Sequence, residues 1–347
     1  MARTAKPVAA QGRVLIDLAL QGGGSHGAFT WGVLDRLLQE DRFEIEAISG
    51  TSAGAMNAAV LVDGFQRGGP EGARERLEMF WRRVSAGAAL SPFRRGPVDV
   101  LLNRWSLDHS PGYVAMDVMS RLFSPYDVPF APPNPLQEIL AEVIDFEALV
   151  AAPIKLFITA TNVRTGRGRV FRNADLSPEA LLASACLPTM FQAVEIDGEA
   201  YWDGGFSGNP TMTPLMEECV SDDTIIVGIN PVERAGTPRS ARDILNRLNE
   251  VSFNAVLLKE LRMIALLRKV SDPGNAETAH WANMRVHLVR SDLLTDLGAS
   301  SKLNAEWDFL TMLRDEGRRA AEQFLVAKGA DVGTRSTLDI DQLLAGR

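Results

Sequence analysis

Ile45-Glu46-Ala47-Ile48-Ser49-Gly50-Thr51-Ser52-Ala53-Gly54-Ala55-Met56-Asn57-Ala58-Ala59-Val60 is the stretch from which the fold can be read. Ile45 to Ile48 alternates apolar and polar residues as a strand does. From Ala53 onward good helix formers continue without proline, so a strand passes into a helix through Gly50-Thr51-Ser52-Ala53-Gly54. This is a G-x-S-x-G turn. Small residues on both sides of Ser52 let the backbone bend sharply and lift the hydroxyl out of the chain at a helix N-terminus. Amide donors and the helix dipole there favour the negative charge that grows when a serine attacks a carbonyl. Alone, Gly-x-Ser-x-Gly is also ordinary loop composition; the strand before it and the helix after it set Ser52 apart.

Upstream the same order recurs. Val14 to Leu20 is a nearly continuous apolar run of strand length, as in a parallel strand covered on both faces. It ends in Gln21-Gly22-Gly23-Gly24-Ser25-His26-Gly27, and Phe29 to Glu40 then places Trp31, Leu34, Leu37 and Leu38 at helical spacing. Two successive strand-helix units imply an α/β fold with a central, mostly parallel sheet. The glycine loop has three readings. Gly22, Gly24 and Gly27 satisfy G-x-G-x-x-G, which can cradle a dinucleotide pyrophosphate. That use needs an acidic residue at the end of the second strand, where this chain has Ser49-Gly50-Thr51-Ser52. The amides of Gly23 and Gly24 could instead form an oxyanion hole beside Ser52, or the loop could be a purely structural turn.

Composition narrows the choices. A chain of 347 residues, 46% hydrophobic, can bury a core as one large domain or two smaller ones. A net charge of −8 and a pI near 5.2 argue against nucleic acid as a partner, because such affinity comes from neutralising phosphates. Cys186 and Cys219 are the only cysteines and the four histidines are scattered, so neither a disulfide scaffold nor a metal site is expected. Met1 to Gly12 lacks the apolar core of a secretion signal and reads as a loose tail. The apolar runs fall far short of the roughly 20 residues that span a bilayer, so a soluble, cytoplasmic protein is expected.

The remaining chain gives strands, helices and one further candidate site. Gly68 to Glu71 reads as a turn before a helix over Ala73 to Val84. About 88–135 is rich in Pro, aromatic and Met residues, either an irregular insertion packed on the sheet or a cap whose apolar groups line an acyl pocket or touch lipid. Leu136 to Val150 reads as helix, Ile154 to Thr161 as strand with Gly168 to Phe171 as its hairpin partner, and Ser177-Pro178-Glu179 as a capped helix start. Val194 to Trp202 forms a hairpin with an Asp-Gly turn that delivers Asp203-Gly204-Gly205, an exposed carboxylate or common turn chemistry. Thr224 to Ile229 and Met284 to Val289 read as strands. In Ala241 to Val270, Ile244, Leu248, Val251, Ala255 and Leu258 share an apolar stripe expected to pack on the core, a membrane-surface role being the alternative. Leu303 to Val326 holds another helix.

Taken together, three motifs resemble a family. Gly22-Gly23-Gly24-Ser25-His26-Gly27, Gly50-Thr51-Ser52-Ala53-Gly54 and Asp203-Gly204-Gly205 are similar, in order and spacing, to the oxyanion loop, nucleophile elbow and Asp-Gly-Gly/Ala motif of bacterial patatin-like phospholipases. Ala183 to Phe191 is similar to that family's approach to its aspartate, and the resemblance covers about Val14 to Ile229. It implies a three-layer α/β/α fold and a catalytic domain over 13–330, with a helical part from about 240 and loose ends at 1–12 and 331–347. It also implies a lipid or acyl-ester substrate, contact with a membrane periphery, and no metal or cofactor. Ser52 would be the nucleophile and Asp203 its base, a dyad without histidine. The family usually carries Arg or Lys where this loop has His26. Three rivals remain: an α/β-hydrolase triad completed by His280 or His287, a nucleotide-binding module, and a non-catalytic lipid-binding protein.

Overall fold

The computed structural model describes residues 12–89, 91–102, 104–127, 134–270 and 281–346. The expected tail at 1–12 lies outside them except for Gly12. Strand β1, Val14–Leu20, runs through the middle of the sheet. Parallel to it lie β2 (Phe43–Gly50), β3 (Lys155–Asn162), β7 (Asp223–Val227) and β8 (Arg285–Val289). Antiparallel β4 (Gly168–Arg172) and β6 (Glu199–Asp203) both pair with β3, and β5 (Val194–Ile196) closes that edge in the order β5-β6-β3-β2-β1-β7-β8. Both hairpins fall where the sequence puts them. The Asp197-Gly198 turn has positive φ at both residues, the conformation that a two-residue hairpin loop demands.

Helices cover both faces of the sheet. One core packs Ile16, Leu18, Leu20 and Ile48 against α1 (Gly27–Leu37), α2 (Ala53–Gly87) and the C-terminal helix Trp307–Lys328; the other packs Ala19, Ala47 and Ile226 against α8 (Thr213–Glu218) and α9 (Ala241–Val270). The result is the expected three-layer α/β/α fold. Burying Phe29, Trp31, Phe80 and Phe309 in the first core contributes about 2–3 kcal/mol each. The kink in α2 lies at Gly68 and Gly69 (φ +61), where the sequence shows a turn.

Four expectations change. Leu136 to Val150 is two helices, α5 (Pro135–Val143) and α6 (Phe146–Val150), because Asp145 caps the second through Ala148 N while its own amide donates to Asp63. Among its described residues, about 88–135 contains two helices, α3 (Pro97–Leu101) and α4 (Pro111–Leu122), each opened by proline. No residue of α4 is buried, whereas Leu107 is buried and Trp105 packs against the main core and stacks on Phe309. The stripe on α9 is turned outward: Ile244, Leu248 and Val251 are exposed, whereas Glu250, Asn254, Leu257, Leu261 and Ile264 face inward. Glu250 is held there by Arg234 and Arg247, and a buried ion-paired acid is invisible to a hydropathy pattern.

The end of the chain over 331–346 is not loose. Thr337 and Leu338 donate to Val286 O, Gly333 N donates to Asp223, and Ile340 is buried in the final helix Ile340–Ala345.

Candidate functional site

Ser52 sits where β2 enters α2, with φ +53 and ψ −122. A non-glycine residue in that region costs about 1–3 kcal/mol, and such strain concentrates at functional sites. The surroundings hold it. Ser52 N donates to Ser184 Oγ at 2.9 Å, whose hydroxyl donates to Thr159 O at 2.7 Å, and Thr51 Oγ1 donates to Gly208 O at 2.7 Å. Gly54 lets the elbow close, since a Cβ there would lie 2.2 Å from Leu20 O.

Asp203 ends β6 and is buried. Its amide donates to Cys186 O, and its Oδ1 accepts from Gly205 N at 2.7 Å. The Ser52 side chain lies close enough to stabilise the carboxylate's charge. Burial pushes its pKa up to about 7, against the pull of the Gly205 amide, the Ser52 hydroxyl and the charge of Lys302. The residues before it, Ser184 to Cys186, thus bind both the serine and the aspartate.

The glycine loop lies against the serine. A Cβ on Gly22 would come within 2.7 Å of Ser52 Cβ, and one on Gly27 within 2.6 Å of Ala53 Cβ. Gly22 is clamped by Asn209, whose Oδ1 accepts from Gly22 N at 2.6 Å, and by Asn230, whose Nδ2 donates to Gly22 O at 2.7 Å. Gln21 ties the loop to the neighbouring strand end, accepting from Ile229 N and Asn230 N and donating to Asn209 O and Asn254. Among the described residues the amides of Gly23 and Gly24 have no acceptor, so both are free to donate. Ser25 and His26 complete the short turn Gly24–His26 that leads into α1.

Two of the histidines are bound away from the Ser52 side chain. His26 Nε2 meets Ser301 Oγ at 2.7 Å, and because that hydroxyl donates to Gly298 O, Nε2 carries the proton. Burial, then the charges of Lys302 and Arg234, hold its pKa well below the usual value, so the ring is neutral. His287 bonds Asp223 and Thr337 within β8 and its neighbours. His280 lies outside the described residues. We expect His287→Ala to keep wild-type kcat per folded molecule while losing about 1–3 kcal/mol of stability, since it leaves a buried carboxylate short of a partner. A matched assay and urea titration would check both halves.

Sequence reasoning missed Asn209, Asn230, Asn254, Ser184 and Lys302. Asn209 follows the Asp-Gly-Gly turn and Ser184 lies in the stretch approaching Asp203, so both could have been considered; Asn230, Asn254 and Lys302 carry no periodic or motif signal. One group among the described residues could hold a metal: Asp17, Glu46 and Cys219, whose ligand atoms lie within 4.8 Å of one another. Glu46 already accepts from Lys155 and from the amides of Val220 and Ser221. A cavity of about 790 Å³ shares Gln21 and Asn230 with the loop network and is walled by Leu261, Leu288 and Phe324, but neither Ser52 nor Asp203 lines it.

The mostly parallel sheet with helices on both faces, and the serine at the turn from β2 into α2, make this an α/β protein. The model of the family "Patatin-like phospholipase" matches residues 18–216, more than half of the chain, and the protein belongs to that family of lipid acyl hydrolases. Among solved structures, the crystal structure of VipD from Legionella pneumophila is similar, with a TM-score of 0.39 and 16% identity over 92% of this chain and 67% of that one. No curated protein matches the chain at a significant level.

Proposed function

We propose that the protein hydrolyses carboxylic esters of lipids through a Ser52–Asp203 dyad, with Gly23 and Gly24 as oxyanion donors. What supports this reading is the strained strand-to-helix elbow that carries Ser52, set beside the buried Asp203, whose pKa burial raises to about 7. A carboxylate at its ordinary pKa is a poor base, and burial makes this one a competent acceptor at neutral pH. As Ser52 Oγ bonds to the ester carbonyl carbon, its proton passes to Asp203 and the carbonyl oxygen becomes an oxyanion facing the Gly23 and Gly24 amides. Collapse of that intermediate breaks the C–O bond, and Asp203 returns the proton to the departing alcohol. Water then attacks the acyl-Ser52 ester, giving its proton to Asp203; Ser52 recovers a proton as the fatty acid leaves.

The described residues contain no helix long and apolar enough to cross a membrane. Exposed Leu101, Leu122 and Phe123 in the segment over about 88–135 support its role as a cap that meets lipid at the membrane periphery, within one catalytic domain over 13–330. The test is a panel of phospholipids, acylglycerols and short p-nitrophenyl esters. Release of fatty acid from the lipids, with kcat/KM rising through about pH 7 as Asp203 ionises, is expected. No release from any ester would overturn the proposal.

A further inference from the structure

A lysine from beyond the family match sits behind the glycine loop. Lys302 belongs to the short turn Ala299–Leu303, and its carbonyl packs so close to the loop that a Cβ on Gly24 would come within 2.3 Å of it. Its Nζ donates to Asn230 Oδ1 at 2.8 Å, while Asn230 Nδ2 donates to Gly22 O. The same Oδ1 would stand 3.6 Å from a Cβ on Gly23. One amide side chain therefore separates the ammonium from the backbone that carries the free donors.

The charge on Lys302 is not cancelled locally. Lys302 as a residue is partly buried, with its ammonium at the enclosed end, and among the described residues it forms no salt bridge. Glu250, whose charge reaches it, is bound by Arg234 and Arg247. Holding an ammonium there without a contacting carboxylate is unfavourable. The loop's own His26 is neutral and cannot supply charge.

We propose that Lys302 is a positioning residue of the site: through Asn230 it fixes Gly22 to Gly24, and its ammonium places positive potential at the oxyanion and at Asp203. This rests on the dyad reading above. The groups that set its titration are Asp203 and Glu250, which favour the ammonium, and Arg234, which opposes it; its own charge in turn opposes protonation of His26. Burial is the largest effect and brings the pKa down to about 8. The charge is therefore present below that pH and lost above it.

The test compares pH profiles of kcat and KM on a short p-nitrophenyl ester for wild type, Lys302→Gln and Lys302→Arg. Glutamine keeps a donor for Asn230 but removes the charge. Wild type should lose activity as pH rises through about 8. Lys302→Gln should lower kcat about tenfold to a hundredfold with KM nearly unchanged, abolish the alkaline limb, and move the acid limb to higher pH because Asp203 loses a nearby cation. Lys302→Arg should recover most of the rate and show no alkaline limb. A wild-type profile flat to about pH 9.5, or a glutamine variant matching wild type in rate and profile, overturns the proposal. The wild-type profile decides alone should the glutamine variant not fold. Fluorophosphonate labelling separates the two ideas. Label on Ser52 with an unaltered glutamine variant removes only the role of Lys302, whereas label elsewhere removes the dyad reading as well.

Discussion

Ser52→Ala is expected to lower ester hydrolysis by about 10⁴-fold or more, and Asp203→Asn by about 10³- to 10⁴-fold, as assayed by fatty-acid release. The two should not add, because each removes the same attacking alkoxide. Stability should separate these losses from unfolding. Asp203 is ionised at about 3.8 in the unfolded chain and at about 7 when folded, so its burial favours folding least once pH exceeds 7. Asparagine removes that penalty while its carbonyl can still accept from Gly205. At pH 8.5 the inactive Asp203→Asn protein should therefore melt no lower than wild type. Loss of activity together with a fall in Tm of several degrees would point to a structural aspartate instead.

The second large effect concerns stability. Helix α1, which follows the glycine loop, crosses the C-terminal helix Trp307–Lys328 at two glycines: a Cβ on Gly32 would lie 1.9 Å from Arg314 O, and one on Gly317 would lie 2.0 Å from Phe29 O. Both obstacles are backbone, which cannot rotate away, so the helices must separate and open the packing of Phe29, Trp31, Phe309 and Leu313. Gly317→Ala and Gly32→Ala should each cost about 3 kcal/mol and lower Tm by about 5 °C or more. Activity should fall too, because the turn bearing Lys302 leads into that same helix. A Tm within about 1 °C of wild type would mean that the helix is not packed on α1, and that the C-terminal part is not integral to the domain.

Much of the fold is legible because its signals are local. Val14–Leu20 is apolar throughout except for Asp17, Ser177 caps a helix with proline behind it, and Asp197-Gly198 dictates its hairpin; each follows from a few adjacent residues. Ser52, the glycine loop and Asp203 are legible for a related reason, since an elbow, a run of bare amides and an acid at a strand end each need small neighbours. What escapes is the scaffolding between them. Asn209, Asn230 and Ser184 act by single hydrogen bonds across long stretches of chain, and Lys302 looks like any surface lysine until the turn carrying it docks. The outward stripe of α9 misleads because Glu250 and Asn254, polar by composition, occupy the inward face. The packed end over 331–346 has too few apolar residues to announce itself and is held by backbone bonds to β8.

The central claim is that one strained serine, activated by one buried carboxylate, carries the chemistry. Treatment with a fluorophosphonate ester followed by peptide mass mapping tests it most directly. A single adduct on the peptide containing Ser52, absent in Ser52→Ala and formed far more slowly in Asp203→Asn, is the predicted result. An adduct on another residue, or labelling undiminished in Ser52→Ala, would contradict it.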